Sequence, residues 1–282
     1  MPELPEVETI SNRLRPYIVG KTISRIEVVS PKSFSGDQSS VVSLQVLGVS
    51  RRAKMIRFHL QKRQNILVHL KMTGQLIYVD ENHRVGGGHP TDDWIAKLPS
   101  RHTRVQVTFN DGSKLFFNDQ RLFGWMKVMS DAEVQNEFAK YAMDINSDEF
   151  SPSYFQKQLA KRRVAIKLVM LDNKVVAGIG NIYVCDALNL AKLSPFRAAS
   201  SLTLDEIQTL YDSSRTIIQK GIDLGGATTD GKYIDVHGFA GKYQLEARVY
   251  GRKGQNCLNC GNEIVKDRQA GRGTYWCKNC QK

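Results

Sequence analysis

The chain has 282 residues, is 41% hydrophobic, and is long enough for two ordinary domains with a small appendage. It has no run of about 18 apolar residues, and its acidic start lacks the basic and apolar regions of a signal peptide, so we expect an intracellular protein without a membrane span. Lysine and arginine outnumber aspartate and glutamate by 40 to 28, a formal charge of +12, which favours a polyanionic partner but also fits an ordinary basic protein.

The first 130 residues are predicted to form an antiparallel β-sandwich preceded by one helix. Val7, Ile10 and Leu14 recur at helical spacing, which predicts a helix from about residue 5 to residue 17. From residue 23 to about 128 the pattern changes to short alternating runs separated by turn signals. Such runs are typical of antiparallel strands.

A helical domain is predicted from residue 131 to residue 224. Ser130 and Thr203 each precede a glutamate by three residues, as in a capping box, and Ser151 precedes a proline at a helix start. The last helix is expected to end at Gly221. Helical patterns cover about 152–162, 164–172, 181–191 and 204–220. The following residues, 225–243, are rich in glycine and polar residues and are predicted to form a mobile loop.

Four of the five cysteines form the pairs Cys257-x2-Cys260 and Cys277-x2-Cys280, with sixteen residues between them. This spacing is typical of a zinc ribbon, in which each pair binds the metal from one tight turn. Four thiolates leave no position for water, so we predict one structural Zn²⁺ rather than a catalytic one. Two disulfides are the alternative, which an intracellular location disfavours. Cys185 lies in an apolar helical pattern and is expected to be a core residue.

The N-terminus carries a second chemical cluster, Pro2, Glu3 and Glu6. An early proline and acidic residues at the positive end of a helix dipole are typical of an ordinary helix start. Removal of Met1 would, however, leave a secondary amine at Pro2, which can attack an electrophilic sugar carbon and form an iminium. Glu3 could then transfer protons beside it. From these residues alone both interpretations stay open.

Six stretches of the chain also match one known family in order and over essentially the full length. They are Met1–Thr9, Arg51–Lys54, His69–Gly74, Asp119–Gly124, Gly178–Tyr183 and the C-terminal cysteine ribbon. On these residues the chain resembles the formamidopyrimidine-DNA glycosylases. The resemblance implies a bifunctional base-excision repair enzyme, a DNA glycosylase and AP lyase. Such an enzyme flips out and excises oxidised purines, 8-oxoguanine and formamidopyrimidines, and nicks the strand by β,δ-elimination.

The resemblance also implies an α+β fold with three parts. They are an N-terminal β-sandwich catalytic domain (1–130), a helix–two-turns–helix domain (131–224), and a lesion loop with a zinc-finger hairpin (225–282, the finger from about 248). Damaged double-stranded DNA would lie in the cleft between the lobes. We expect a monomer that acts in the bacterial cytoplasm, on the nucleoid, with no membrane partner.

Five residues carry catalytic roles if the resemblance holds. Pro2 would attack C1′ of the damaged nucleotide and form a Schiff base, Glu3 would act as general acid and base, and Glu6 would orient the N-terminus. Lys54 would donate a proton in β-elimination. Arg272, on the zinc finger, would bind phosphate and assist δ-elimination.

Further residues are expected to contact DNA. Met72, Arg121 and Phe123 would fill the space left by the flipped-out base, with the arginine facing the orphaned cytosine. Their alternatives are core packing for the two apolar residues and a surface ion pair for the arginine. The expected contacts to the rest of the DNA are His102, Arg162, Lys167 and Asn181.

The chain also departs from the family pattern. Arg104 stands where a second histidine is usual, Asp186 stands where a glutamate is usual, and residues 227–232 of the loop match only loosely. Two other functions remain open at this stage. One is an endonuclease VIII-like glycosylase for oxidised pyrimidines. The other is a non-catalytic zinc-dependent DNA-binding module, which would leave Pro2, Glu3 and Lys54 unexplained.

Overall fold

The computed structural model describes residues 1–228 and 241–282, which divide into two compact units. Unit 1 contains residues 1–140, and unit 2 contains residues 141–228 and 241–282. Residues 229–240, which hold most of the loop expected at 225–243, lie outside the described residues. The domain boundaries expected at residues 130 and 224 stay predictions. Within the described ranges, no helix combines the length and apolar character needed to cross a bilayer.

The described residues contain six α-helices, and their starts follow the predicted capping signals. Ser130 and Thr203 form the predicted capping boxes, and the hydroxyl of Ser151 accepts from the backbone N–H of Tyr154. The last helix does not end at Gly221, because this glycine is buried in a helix that continues for two more residues. The helices are α1 Leu4–Ile18, α2 Asp131–Phe138, α3 Pro152–Leu159, α4 Ile166–Met170, α5 Asn181–Leu190 and α6 Leu204–Asp223.

Unit 1 is a sandwich of two five-stranded sheets, ordered β1-β8-β9-β6-β7 and β2-β10-β5-β4-β3. The ten strands of these sheets are β1 Ile23–Val28, β2 Phe34–Ser35, β3 Val46–Arg52, β4 Met55–Leu60, β5 Gln64–His69, β6 Gly74–Val79, β7 Arg84–Gly88, β8 Thr103–Phe109, β9 Lys114–Asp119 and β10 Trp125–Ser130. Unit 2 contains two further strands, β11 Val265–Gln269 and β12 Arg272–Trp276. The predicted antiparallel sandwich is confirmed, except that the two-residue β2 pairs in parallel with β10.

Helix α1 completes the core of unit 1. Its buried residues Val7, Ile10 and Leu14 belong to the same apolar cluster as the inward side chains of both sheets. The helix packs most closely on β7, where Gly87 faces it. A β-carbon at position 87 would lie 2.3 Å from Cγ1 of Ile10, so only glycine permits this approach.

In unit 2, α5 packs against α6 and against β12 of the C-terminal hairpin formed by β11 and β12. A small apolar cluster joins Cys185 of α5 to Val249 and Ile264. The predicted zinc-finger hairpin is therefore built onto the helical part of the same unit.

We predict that Gly87→Ala will lower the free energy of unfolding of unit 1 by about 1–3 kcal/mol, because α1 must move away from β7. Gly48→Ala is the matched control in another strand, since its β-carbon would come no closer than 3.8 Å to Cδ2 of His59. Urea denaturation followed by tryptophan fluorescence measures both. Equal midpoints for the two variants would contradict the proposed packing constraint.

Candidate active site and metal centre

One edge of the unit 1 sandwich collects residues from three connecting segments. Met55 at the start of β4, His69 at the end of β5 and Trp125 at the start of β10 are lateral neighbours in the second sheet. Because adjacent strands lie about 4.8 Å apart, the three positions fall within about 10 Å. The β3–β4 turn, the β5–β6 loop and the β9–β10 loop therefore share this edge. These segments carry Lys54, Met72, Arg121 and Phe123.

Helix α1 directs its N-terminus toward the same edge, as its contacts along β3 show. Arg15 donates from Nη2 to the carbonyl oxygen of Val49 at 3.1 Å. Two turns nearer the start of α1, Oε2 of Glu8 accepts from Nε of Arg51 at 2.6 Å. Strand β3 ends directly after Arg51, at the β3–β4 turn, so α1 approaches that turn as it is followed back to its first residues.

The first residues of the chain are packed into unit 1. Glu3, the residue before α1, is only 4% exposed, and its backbone N–H donates to Oε2 of Glu6 at 2.7 Å. This bond is part of a capping box at the start of α1 and ties Glu3 to the first turn of the helix. Pro2 is buried, whereas Met1 is 49% exposed. The catalytic roles of Pro2, Glu3 and Glu6 stay predictions.

Lys54 and His69 are both buried at this edge, with 7% and 6% exposure. Burial, together with the positive charges of Lys71 and Lys54, lowers the pKa of His69 to about 3, so its ring is neutral at pH 7. Nδ1 of His69 accepts from the backbone N–H of Lys71 at 3.1 Å, which leaves the proton on Nε2. No pattern in the sequence assigns a role to His69, although the matched stretch at 69–74 begins with it.

The β9–β10 loop is organised by Asp119, which is fully buried. Its Oδ2 accepts from the backbone N–H of Gly124 at 2.7 Å, and its Oδ1 accepts from that of Arg121 at 3.2 Å. The hydroxyl of Thr73 donates to the same carboxylate and links the β5–β6 loop to it. Because the carboxylate holds both ends of the loop, the residues between them project outward. The sequence signal for Asp119 was only its place at the start of the stretch 119–124.

The residues expected to replace a flipped base are exposed. Met72 is 41% and Phe123 is 52% exposed, so the alternative that they pack in the core is wrong. The guanidinium of Arg121 lies 4.7 Å from the centroid of the Phe123 ring, which is a cation–π contact. Their insertion into DNA stays a prediction.

His102 and Arg104 lie near the same loops. Nδ1 of His102 lies 2.8 Å from Oδ2 of Asp93, and its side chain is 17% exposed. Arg104, which stands where the family usually has histidine, donates from Nε to the carbonyl oxygen of Asp119 at 2.7 Å. The substituted arginine therefore supports the backbone at the base of the β9–β10 loop. Contact between His102 and DNA stays a prediction.

In unit 2 the four cysteine sulfurs all lie within 4.8 Å of one another. Sγ of Cys257 is 3.7 Å from that of Cys280, and Sγ of Cys260 is 3.5 Å from that of Cys277. A tetrahedral Zn²⁺ with bonds of about 2.3 Å needs sulfurs about 3.8 Å apart, so this donor set fits the metal. Hydrogen bonds from the backbone, Asn262 foremost, lower the pKa of the Cys260 thiol to about 6. The predicted single structural zinc is confirmed by this fit.

Helix α5 supports the metal centre from one side. Nδ2 of Asn189 lies 3.8 Å from Sγ of Cys257 and donates to Oε1 of Gln281 at 3.1 Å. Such contacts to a ligand and its neighbours orient the thiolates. Cys185, one turn earlier in α5, is 1% exposed beside Cys257, which confirms it as a core residue.

The β11–β12 hairpin presents Arg272 at its tip. The two-residue turn before it, Ala270 and Gly271, has φ values of 45° and 78°, as expected for a tight hairpin turn. Arg272 is exposed. The residue after it, Gly273, is fixed from the helices, because Nδ2 of Asn181 donates to its carbonyl oxygen at 3.0 Å. Asn181 is the first residue of α5, so the start of that helix and the hairpin tip are joined.

Lys167 lies under the hairpin rather than at an exposed surface. It is fully buried, and its Nζ donates to Oγ1 of Thr274 at 2.9 Å and lies 3.4 Å from the carbonyl oxygen of Gly273. The side chain of Arg162 is 39% exposed, and its Nε donates to the carbonyl oxygen of Gln158 at 3.0 Å. Of the two basic residues expected at the DNA surface, only Arg162 has an exposed side chain. Both contacts stay predictions.

The segments on either side of residues 229–240 are tied together in unit 2. The backbone N–H of Tyr243 donates to the carbonyl oxygen of Gly226 at 3.0 Å. The hydroxyl of Tyr243 donates to Asp186 at 2.7 Å, and the N–H groups of residues 248–250 donate to the same carboxylate at 2.9 to 3.0 Å. Burial nevertheless raises the pKa of Asp186. The aspartate found in place of glutamate therefore links α5 to the segment that leads to the zinc finger.

Three family models match the chain. The formamidopyrimidine-DNA glycosylase N-terminal domain matches residues 1–126, the formamidopyrimidine-DNA glycosylase H2TH domain matches 141–232, and the zinc finger found in FPG and IleRS matches 254–282. Curated relatives named formamidopyrimidine-DNA glycosylase include that of Carboxydothermus hydrogenoformans, 37% identical, with 100% of both chains covered. The relative from Pelotomaculum thermopropionicum is 35% identical over 100% of this chain and 99% of its own.

Solved structures agree with these matches. The Lactococcus lactis formamidopyrimidine-DNA glycosylase, non-covalently bound to DNA containing an AP site, is 32% identical with a TM-score of 0.86 and full coverage of both chains. The MutM (FPG) protein of Thermus thermophilus is 32% identical with a TM-score of 0.85, covering 99% of this chain and 98% of its own.

The sandwich, the helical unit and the four-cysteine finger thus define a class, the zinc-finger DNA glycosylases with a helix–two-turns–helix domain. Within this class, the chain belongs to the formamidopyrimidine-DNA glycosylase family.

We predict that the purified chain holds one zinc ion and that Cys277→Ser lowers the zinc content to near zero, because three ligands cannot close the tetrahedron. Atomic absorption measures the metal, and limited proteolysis reports unfolding of the hairpin. Cys185→Ala is the control, since that buried cysteine is not one of the four clustered sulfurs and should leave the zinc content unchanged. Full zinc occupancy in Cys277→Ser would contradict the assignment.

We predict that Lys167→Met increases amide hydrogen exchange at residues 273 and 274 about tenfold or more, since hydrogen bonds from a charged donor contribute about 1.5–3 kcal/mol. Arg162→Met, in an exposed side chain, should leave the same amides unchanged. Exchange measured by NMR on the DNA-free protein compares them. If the two variants behave alike, Lys167 does not support the hairpin.

Proposed function

We propose that this chain, a base-excision DNA glycosylase by its family, excises oxidised purines from duplex DNA with the amine of Pro2 as nucleophile. After removal of Met1, the secondary amine would attack C1′ of the damaged nucleotide and the glycosidic bond would break. The resulting iminium joins the enzyme to the sugar. We further propose that the protein acts as a monomer on the DNA of the bacterial cytoplasm.

One observation carries this proposal. The contacts of α1 along β3 and the register of β4, β5 and β10 bring the Pro2 end of the chain, the Lys54 turn and two exposed loops to one edge of unit 1. A helix start used only for folding would not need a buried lysine and exposed Met72 and Phe123 around it. A nucleophile, a proton donor and groups that occupy a vacated base position do need to be adjacent.

The later steps follow from the iminium. Loss of a proton from C2′ breaks the C3′–O bond in β-elimination, and a second elimination breaks the C5′–O bond. In our proposal Glu3 transfers protons to and from the sugar, and Lys54 donates a proton during β-elimination. The neutral ring of His69, beside Lys54, adds no positive charge and so does not oppose protonation of the lysine. Addition of water to the remaining iminium releases the sugar fragment as a carbonyl compound and frees the Pro2 amine.

Binding of the duplex is assigned to both units. Arg121 would face the base opposite the lesion, with Met72 and Phe123 inserted into the stack. Arg272, on the hairpin supported by zinc, would bind a backbone phosphate and assist the second elimination. The start of α5, where Asn181 lies, is a favourable site for phosphate because helix N-termini attract anions. The formal charge of +12 supports binding of a polyanion.

We predict that borohydride will trap a covalent complex between the chain and duplex DNA carrying an abasic site or 8-oxoguanine opposite cytosine. A protein with extra residues before Pro2 should not be trapped, although it should still bind the duplex.

Lys54→Ala should lower strand cleavage about 100-fold or more, as expected for loss of a general acid. Gel electrophoresis measures trapping and cleavage.

The matched control is Lys62→Ala, at the other end of β4 from Lys54. This variant should be trapped by borohydride and should cleave the strand to the same extent as the unsubstituted chain. Absence of trapping by a protein confirmed by mass spectrometry to begin at Pro2 would overturn the proposal. Faster excision of thymine glycol than of 8-oxoguanine would instead indicate a pyrimidine-type enzyme.

A further inference from the structure

Two charged residues between α1 and the Lys54 turn have no part in the steps above. Nε of Arg51 donates to Oε2 of Glu8 at 2.6 Å, and the two side chains are 6% and 23% exposed. Because the arginine is almost fully removed from water, salt screens this pair much less than a surface pair. The pair therefore joins the helix that follows Pro2 to the strand that leads into the turn.

Arg51 also contacts the turn directly. Its Nη1 donates to the carbonyl oxygen of Ala53 at 3.0 Å. Ala53 is 1% exposed and has a φ of 54°, in the left-handed region that residues with a β-carbon adopt rarely and at a cost. Such a conformation persists only where the surroundings hold it, and the bond from Arg51 is one of the contacts that do. The next residue is Lys54, so the direction of its side chain depends on this turn.

We propose that Glu8 and Arg51 are positioning residues for Lys54. The guanidinium binds α1 through the Glu8 carboxylate and binds the turn through the Ala53 carbonyl, and it thereby sets Lys54 relative to the helix that begins after Pro2. This inference rests on the proposed function, because it depends on the role of Lys54 in β-elimination.

The chemistry of arginine fits this role better than contact with DNA. A planar guanidinium offers several N–H groups in a fixed geometry, so a single rigid group can bind both the carboxylate and the carbonyl. At 6% exposure, the side chain of Arg51 has almost no surface left for a phosphate. Lysine at this position would keep the charge but would bind only one of the two partners well.

The test compares Arg51→Lys, Lys54→Ala and the double variant on duplex DNA with an abasic site. We expect Arg51→Lys to lower the rate of strand cleavage about tenfold or more, because small displacements of a catalytic group are costly. Borohydride trapping at Pro2 should stay at the level of the unsubstituted chain. In the Lys54→Ala background, Arg51→Lys should cause no further loss, since a positioning residue acts only through the group that it positions.

Arg57→Lys is the matched control. Arg57 lies in β4, its side chain is 12% exposed, and its Nη2 pairs with Oδ1 of Asp131 at 2.6 Å. The same substitution is thus made in an ion pair of the same sheet whose partner belongs to α2 rather than to α1 or the turn, and cleavage should be unchanged. Glu8→Gln keeps the size of the side chain and removes its charge, and it should slow cleavage without reducing trapping. If circular dichroism shows Arg51→Lys to be unfolded, Glu8→Gln decides the question.

The outcomes separate the two proposals. If the unsubstituted chain is not trapped by borohydride and does not cleave the duplex, the proposed function fails and this inference fails with it. If trapping occurs and Lys54→Ala slows cleavage, but Arg51→Lys cleaves at the unsubstituted rate, only the positioning role is wrong. It is also wrong if the losses from Arg51→Lys and Lys54→Ala multiply in the double variant, because the arginine then acts independently of Lys54.

Discussion

The close packing of α1 across strand β7 is the constraint on which the arrangement of unit 1 depends. Three consecutive glycines, 86 to 88, form the part of β7 that lies under the helix or beside β6. A β-carbon at Gly86 or Gly88 would lie within 2.3 Å of a backbone carbonyl oxygen of β6. A β-carbon at Gly87 would lie 2.3 Å from the side chain of Ile10. The glycines therefore allow β7 to pair closely with β6 and to pack directly against α1. This packing sets the position of α1, and with it the position of the N-terminus at the sandwich edge.

A second set of polar contacts sets the segments at that edge. The carboxylate of Asp119 closes the β9–β10 loop and binds Thr73 of the neighbouring loop, and Arg104 supports the backbone of Asp119. Glu8 and Arg51 perform a similar task between α1 and the β3–β4 turn. Asp119 and the side chain of Arg51 are almost fully buried, so removing a partner of either leaves an unsatisfied charge in the interior, which is strongly unfavourable. Rigid support of this kind is what an active site built on turns requires.

In unit 2 the metal and the helices hold one hairpin from two directions. The cysteine sulfurs surround a volume that fits tetrahedral zinc, and Asn189 of α5 approaches one of them. At the opposite end of the hairpin, Lys167 and Asn181 both donate to the carbonyl oxygen of Gly273, the residue after Arg272. Zinc alone would fix the base of the hairpin, whereas the helices also fix its tip. The direction of Arg272 is thus set by tertiary contacts as well as by the metal.

Much of this organisation was predictable from local sequence. Helix caps at Ser130, Ser151 and Thr203, the alternating strands and the zinc ligands all follow from spacings of a few residues. The last helix was predicted two residues too short, because glycine usually ends a helix but Gly221 is buried inside this one. The six matching stretches also predicted the family correctly. They assigned no role to Glu8, His69 or Asp119, because the contacts of these residues with distant segments are visible only in the structure.

Lys167 shows where sequence reasoning reaches its limit. The family resemblance predicted Lys167 as a DNA contact at the surface, yet the structure buries this lysine, and its Nζ contacts residues 273 and 274. The sequence by itself determined the metal ligands, the element types and the family, because these depend on residue identity at short spacing. Only the tertiary structure decided which charges are buried, which partners they bind and which loops share an edge. Those properties arise from contacts between residues far apart in the chain, which no local pattern records.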